Sequence, residues 1–127
     1  TRIPSSAASD VYKRQEWLKA EGFGVTSALD LDLGETEAER RGINRVPPEV
    51  CYRLGREADR PEADAIFLSC TAMASLTVVE ALERDCCKPV ITSNLASGWY
   101  ALQKLGLSTA IPWPCKLAGV AKPIEMP

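Results

Sequence analysis

Two short stretches carry residues with chemistry to offer. In "DAIFLSCT", residues 64–71, an apolar run breaks at Ser69 and meets a thiol, Cys70, and a hydroxyl, Thr71. In "PVITSN", residues 89–94, a second apolar run ends on Ser93 and Asn94. A thiolate exchanges protons or attacks carbon. Hydroxyl, amide and backbone N–H groups can hold a carboxylate. Cys70 is therefore the candidate acid/base or nucleophile, and Thr71, Ser93 and Asn94 are candidate substrate ligands. Each has a structural alternative. Free cysteine is among the most buried residue types, Thr71 and Ser93 suit helix caps, and Asn94 tolerates unusual turn conformations.

The elements that would position these residues alternate in type. "EWLKAEGFG", residues 16–24, reads as the last turns of a helix stopped by glycine. "VTSALDLDL", residues 25–33, alternates apolar and polar positions and predicts a strand. "GETEAERRGINR" is a charged, solvated connection with room for a short helical turn. "PPEVCYRLGREADR", residues 47–60, opens on proline, which suits a first helical turn. Its Val50, Cys51, Leu54 and Ala58 share one face. "DAIFLSC" is a short continuous apolar run, the pattern of a strand covered on both faces. "TAMASLTVVEALERDCC", residues 71–87, predicts a helix with Leu76, Val79 and Leu82 inward. "KPVITSN" predicts a second buried strand, and "LASGWYALQKLG" a helix ended by Gly106. Residues 108–127 carry no sustained periodicity and read as an irregular tail, with a short strand at Thr109–Ile111.

Strands alternating with helices predict an α/β fold: a parallel sheet with helices on both faces and right-handed crossovers. In such sheets ligands bind beyond the carboxyl ends of the strands. Cys70 then falls at the start of the following helix, whose positive end favours a thiolate.

Composition narrows the function classes. The chain has 127 residues, 46% hydrophobic and 25% charged, with no run near the length of a membrane span. With 15 basic and 17 acidic residues the net charge is −2, which provides no basic face for nucleic acid. Five cysteines without a secretory signal point to free thiols and a cytoplasmic location. The absence of histidine excludes a Cys–His dyad or a Ser–His–Asp triad within the chain. Cys51 sits on an apolar stripe and reads as core. Cys86 and Cys87 lack CxxC spacing and make a weak metal site. Gly22 and Gly24 end a helix and precede a strand, the reverse of a dinucleotide fingerprint.

The opening "SSAASDVYKRQ" resembles the in-frame translation of a transposase-based sequencing-library adaptor. Residues 1–15 are therefore set apart as non-native, and the native sequence is expected to begin near Glu16 in mid-element, as a fragment.

The stretch from Glu62 to Leu107 resembles the C-terminal half of the maleate cis–trans isomerase and arylmalonate decarboxylase families, within the aspartate/glutamate racemase superfamily. The resemblance runs from about Glu16 to Leu107. It is carried by "SCT" ending one strand, "KPV" opening the next, "SN" at its end, and an aromatic-bearing helix ending in "LG". Residues 16–107 are thereby expected to be one incomplete lobe of a two-lobed racemase-like fold.

The resemblance implies cysteine-based isomerisation or decarboxylation of small dicarboxylic acids, maleate isomerase-like, without metal or organic cofactor. It maps the catalytic cysteine onto Cys70 and a carboxylate binder onto Thr71, with Ser93 and Asn94 bordering the pocket. Arylmalonate decarboxylase activity, Asp/Glu racemase-like activity and a non-catalytic carboxylate-binding module are the alternatives. A second cysteine in the missing first lobe would favour isomerase or racemase; glycine there would favour decarboxylase. The full-length protein is compatible with a homo-oligomer. Two features depart from the pattern: Ala72 stands where the isomerases tend to carry Asn, and the tail after Leu107 does not match. Loss of a central sheet strand would leave neighbouring backbone groups unpaired, at about 1–3 kcal/mol for each buried group. The isolated chain is therefore expected to be marginally folded and inactive.

Overall fold

Proline opens the first long helix of the core. The computed structural model describes residues 6–31, 33–34, 36–107 and 115–120. In it Pro48 occupies the first turn of α3 (Pro48–Ala58), where its missing N–H costs nothing. α1 (Ser6–Ala20) and the single turn α2 (Glu37–Arg40) precede it. After α3 come β1 (Ile66–Leu68), a 3-10 turn at Leu76–Val78, α4 (Val79–Cys86), β2 (Val90–Thr92) and α5 (Ser93–Lys104). A further 3-10 turn covers Lys116–Gly119.

β1 and β2 pair in parallel, with Ile66 opposite Val90, Phe67 opposite Ile91 and Leu68 opposite Thr92. The α/β class and the parallel sheet thus follow the sequence expectation. The face carrying Ile66, Leu68, Val90 and Thr92 is buried. On the other face Phe67 is 46% exposed, so this part of the sheet is open among the described residues.

Under the buried face, Cys51 of α3, Leu82 of α4, and Leu95 and Trp99 of α5 join Val78 and Val79 in one core. Full burial of such side chains contributes roughly 1.5–3 kcal/mol each. α3 and α4 touch where Gly55 meets Leu82: a Cβ on Gly55 would lie 2.8 Å from Leu82 Cδ1 and 3.0 Å from Cδ2. A side chain there would force Leu82 to shift. Tyr52 Oη donates to Asp85 Oδ2 at 2.6 Å on the outside of the same helix pair. That bond pushes the Tyr52 hydroxyl up and, with Arg84, holds the Asp85 carboxyl down. Arg84 pairs with its neighbour Asp85 at 2.9 Å.

α1 stops as the sequence requires. Gly22 takes φ +91, Phe23 N–H donates to Leu18 O, and Gly22 N–H donates to Lys19 O, a Schellman ending. The same pair of bonds ends α5 around Gly106, from Leu107 N–H to Leu102 O and from Gly106 N–H to Gln103 O.

Two expected elements differ. The stretch expected as a strand at 25–33 makes no ladder among its described residues; instead Ser27 Oγ donates to the Ala58 carbonyl at the end of α3. Alternation marks a half-buried segment, but only pairing makes a strand. The second difference is the helix expected over 71–87, which begins at Leu76 as a 3-10 turn and becomes α-helical at Val79. The expected strand at Thr109–Ile111 lies outside the described residues.

A buried carboxylate closes the amino end of β2. Glu83 on α4 accepts Val90 N–H at 3.1 Å and Lys116 N–H at 2.9 Å, tying residues 115–120 to the sheet. Cys115, Leu117 and Ala118 pack against the core from that segment.

Candidate functional site

Because Leu68 lies opposite Thr92, the chain leaves both strands at the same height. Ser69 and Cys70 emerge beside Ser93 and Asn94. The register thus brings the sequence-nominated Cys70 and Thr71, which follow β1, to the same end of the sheet as Ser93 and Asn94, which follow β2.

The two exits are built differently. β2 runs directly into α5, and Thr92, fully buried, is the cap: its Oγ1 accepts Leu95 N–H at 3.0 Å. The N–H groups of Ser93 and Asn94 then lie in the first turn, with no carbonyl inside α5 to bond to. This is an anion-attracting end on a helix of 12 residues. Ser93 is half-buried, and its carbonyl accepts Ser97 Oγ at 2.8 Å.

β1 instead leaves through a tight turn, with Cys70 N–H donating to Leu68 O at 3.2 Å, followed by the loop Thr71–Ser75. Cys70 is half-buried, and its Sγ accepts the backbone N–H of Ala72 at 3.4 Å. Thr71 is exposed, and its carbonyl accepts Asn94 Nδ2 at 3.0 Å, the one side-chain bond that crosses between the two exits among the described residues.

The bonds in this loop differ from those of a helix. An α-helix from Thr71 would send Ser75 N–H to the Thr71 carbonyl. That carbonyl is held by Asn94, and Ser75 N–H goes to Met73 O at 2.8 Å. Ala72, Met73 and Ala74 are good helix formers, and tertiary bonds override them. The long helix that starts at this end of the sheet is therefore α5, whereas the sequence had placed a helix start directly after Cys70. Thr92 was also missed as the cap, although a threonine immediately before an apolar-periodic helix is a readable start signal.

Arg14 of α1 reaches the same end of the sheet, where its Nη1 donates to Ser69 O at 3.3 Å. The sequence reading set that residue aside with residues 1–15.

The other thiols are arranged otherwise. Cys51 is fully buried on α3, and burial pushes its thiol up. It remains a neutral core thiol. Burial likewise pushes the Cys86 thiol up, with Asp59 adding to it. Cys87 is exposed and ends α4 at φ +57, and Cys115 packs against the core. Among the described residues no group of three or more His, Cys, Asp or Glu side chains is gathered so as to hold a metal ion. None of the described helices is long and apolar enough to cross a membrane.

A thiol past one strand of a parallel sheet, set against the capped helix leaving the next strand, defines an α/β lobe with a strand-end cysteine site. Comparison with known proteins gives the family. The arylmalonate decarboxylase family model matches residues 4–118, and the chain belongs to that family. It is 32% identical over 97 residues to a maleate isomerase of Nocardia farcinica (strain IFM 10152), covering 76% of this chain and 37% of the relative. It is 28% identical over 105 residues to an arylmalonate decarboxylase of Bordetella bronchiseptica, covering 82% and 43%. Among solved structures, the Nocardia farcinica maleate cis–trans isomerase bound to TRIS superposes with a TM-score of 0.66 at 31% identity, over 80% of this chain and 40% of that one. A cysteine-to-serine variant of that isomerase, with a covalently bound succinylcysteine intermediate, gives 0.72 at 29%, over 90% and 44%. The chain spans about two-fifths of the length of these relatives.

Proposed function

We propose that this chain is the cysteine-bearing portion of a longer, cofactor-independent enzyme acting on small dicarboxylic acids, maleate isomerase-like. The observation that carries the reading is local. A half-buried sulfur receives a backbone N–H at 3.4 Å, and the next residue, Thr71, is bonded through its carbonyl to Asn94 in the first turn of α5. A hydrogen bond to sulfur favours the thiolate, and a helix N-terminus favours a substrate carboxylate. Cys70 is the proton donor and acceptor. Thr71 and the first turn of α5 at Ser93 and Asn94 hold a carboxylate within its reach.

For isomerisation, a second cysteine from the rest of the protein adds to one alkene carbon. The π electrons move to the neighbouring carbon and its carboxylate, and the central bond becomes single and rotates. Cys70 gives a proton to that carbanion and takes it back before the added sulfur leaves. For decarboxylation of a substituted malonate, the C–C bond to one carboxylate breaks and CO2 departs. The electrons pass to the remaining carboxylate as an enediolate, and Cys70 protonates its carbon. Glycine in place of the second cysteine selects this route. The free thiols found among the described residues support a cytoplasmic setting.

The test uses the protein extended by its upstream coding sequence, with maleate and an arylmalonate as substrates. Turnover of one of them that survives a chelator is expected, and Cys70→Ala should lower it by about 10²–10⁴-fold, the ordinary worth of a positioned acid/base. The 127-residue chain alone is expected to be inactive. Undiminished turnover in Cys70→Ala leaves the non-catalytic carboxylate-binding module as the reading.

A further inference from the structure

We infer that Asn94 is a positioning residue for Cys70, acting through the single peptide group between Thr71 and Ala72. This rests on the reading of Cys70 as the acid/base. Two of the bonds described above belong to one planar unit. Asn94 Nδ2 donates to the Thr71 carbonyl at 3.0 Å, and the N–H of the same peptide, that of Ala72, donates to Cys70 Sγ at 3.4 Å.

A trans peptide holds its C=O and N–H rigidly on opposite edges, with no soft torsion between them. Fixing the oxygen therefore fixes where the hydrogen points. The amide of Asn94 pulls on one edge, and the sulfur receives the other. A bond donated to the carbonyl also polarises the peptide and makes its N–H the stronger donor. A backbone N–H bond is accepted more strongly by a thiolate than by a thiol.

The anchoring is asymmetric. Asn94 sits in the first turn of α5, which the buried Thr92 caps and the buried Leu95 and Trp99 fasten to the core. Thr71 lies in the irregular loop between β1 and the turn at Leu76. The capped exit thus orients the loop that leaves the other strand. Asn94 has no need to touch substrate to matter.

The experiment measures iodoacetamide alkylation of the protein carrying its upstream sequence across pH, with each cysteine followed separately by peptide mass spectrometry. Cys87, exposed on the surface, is the internal rate reference, and Cys51, fully buried, reports that the fold is intact by staying unlabelled. Asn94→Ala and the near-isosteric Asn94→Leu, neither of which has a donor or a charge, are compared with the unmodified protein.

The expected result is a Cys70 rate at pH 7 about threefold to tenfold slower relative to Cys87, the worth of one hydrogen bond. The pH profile of Cys70 should move toward alkaline pH while Cys51 stays protected. An unchanged Cys70 profile in a variant that still protects Cys51 overturns the inference. Labelling of Cys51 in both variants overturns it as well, because the amide then holds the fold and not the sulfur. Neither outcome touches the acid/base role of Cys70, which turnover tests separately.

Discussion

β1 and β2 have the same length, run parallel and pair residue for residue, yet their carboxyl ends differ in kind. β2 passes at once into a helix, with Thr92 acting both as last strand residue and as cap. β1 passes into a turn and a loop, and its helical turn waits until Leu76. The capped exit is fastened to the core and supplies a fixed dipole. The open exit supplies the sulfur. The sulfur and the capped helix start are split between two strands, and the Asn94–Thr71 bond joins them.

That division can be broken at three depths. The largest effect belongs to the floor shared by both exits. Leu82, fully buried against α3 and Gly55, should cost about 2–5 kcal/mol as Leu82→Ala. Urea unfolding measures the loss, and Cys51 should become open to label. A loss below about 1 kcal/mol would mean the exits do not share one core.

A smaller effect separates the exits. Thr92→Val keeps the buried shape and removes the cap, for about 0.5–2 kcal/mol. Amide exchange should then speed up at the start of α5 while β1 stays protected. Equal speeding in both strands would erase the distinction between them.

The smallest effect lies at the opposite end of the sheet. Lys88 Nζ contacts Asp59 Oδ1 at 2.6 Å and holds the Asp59 carboxyl below its ordinary range. A lowered carboxylate stabilises the fold in full above the unfolded value of about 4, and that gain is lost as pH falls through the lowered folded value. Lys88→Met should flatten this acid limb of the stability–pH curve and leave Cys70 labelling unchanged. A changed Cys70 rate would show that the two ends of the sheet are coupled.

Much of this was legible because local signals agreed with the fold. Pro48 marked the start of α3, Gly22 and Gly106 marked two helix ends, and the apolar runs "AIFL" and "PVIT" located both strands. The grouping of Cys70 and Thr71 with Ser93 and Asn94 follows from strand ends in parallel register. What failed were features fixed by partners distant in sequence. Residues 25–33 alternate, but the described part finds no ladder, because pairing is a property of two segments and alternation of one. The helix after β1 begins late, and the loop before it is bonded to Asn94, 23 positions away in sequence. Nothing in the pattern around Leu82 marks Glu83 as buried. Its partners Val90 and Lys116 lie on other elements.

The central claim is that both exits form one carboxylate site around Cys70. The most direct test is protection of Cys70 from iodoacetamide by succinate in the protein carrying its upstream sequence, with succinamide as the uncharged control. Succinate should slow labelling of Cys70 in proportion to its occupancy, leaving Cys87 unaffected and succinamide without effect. A Cys70 rate that is the same with saturating succinate as without it would contradict the claim.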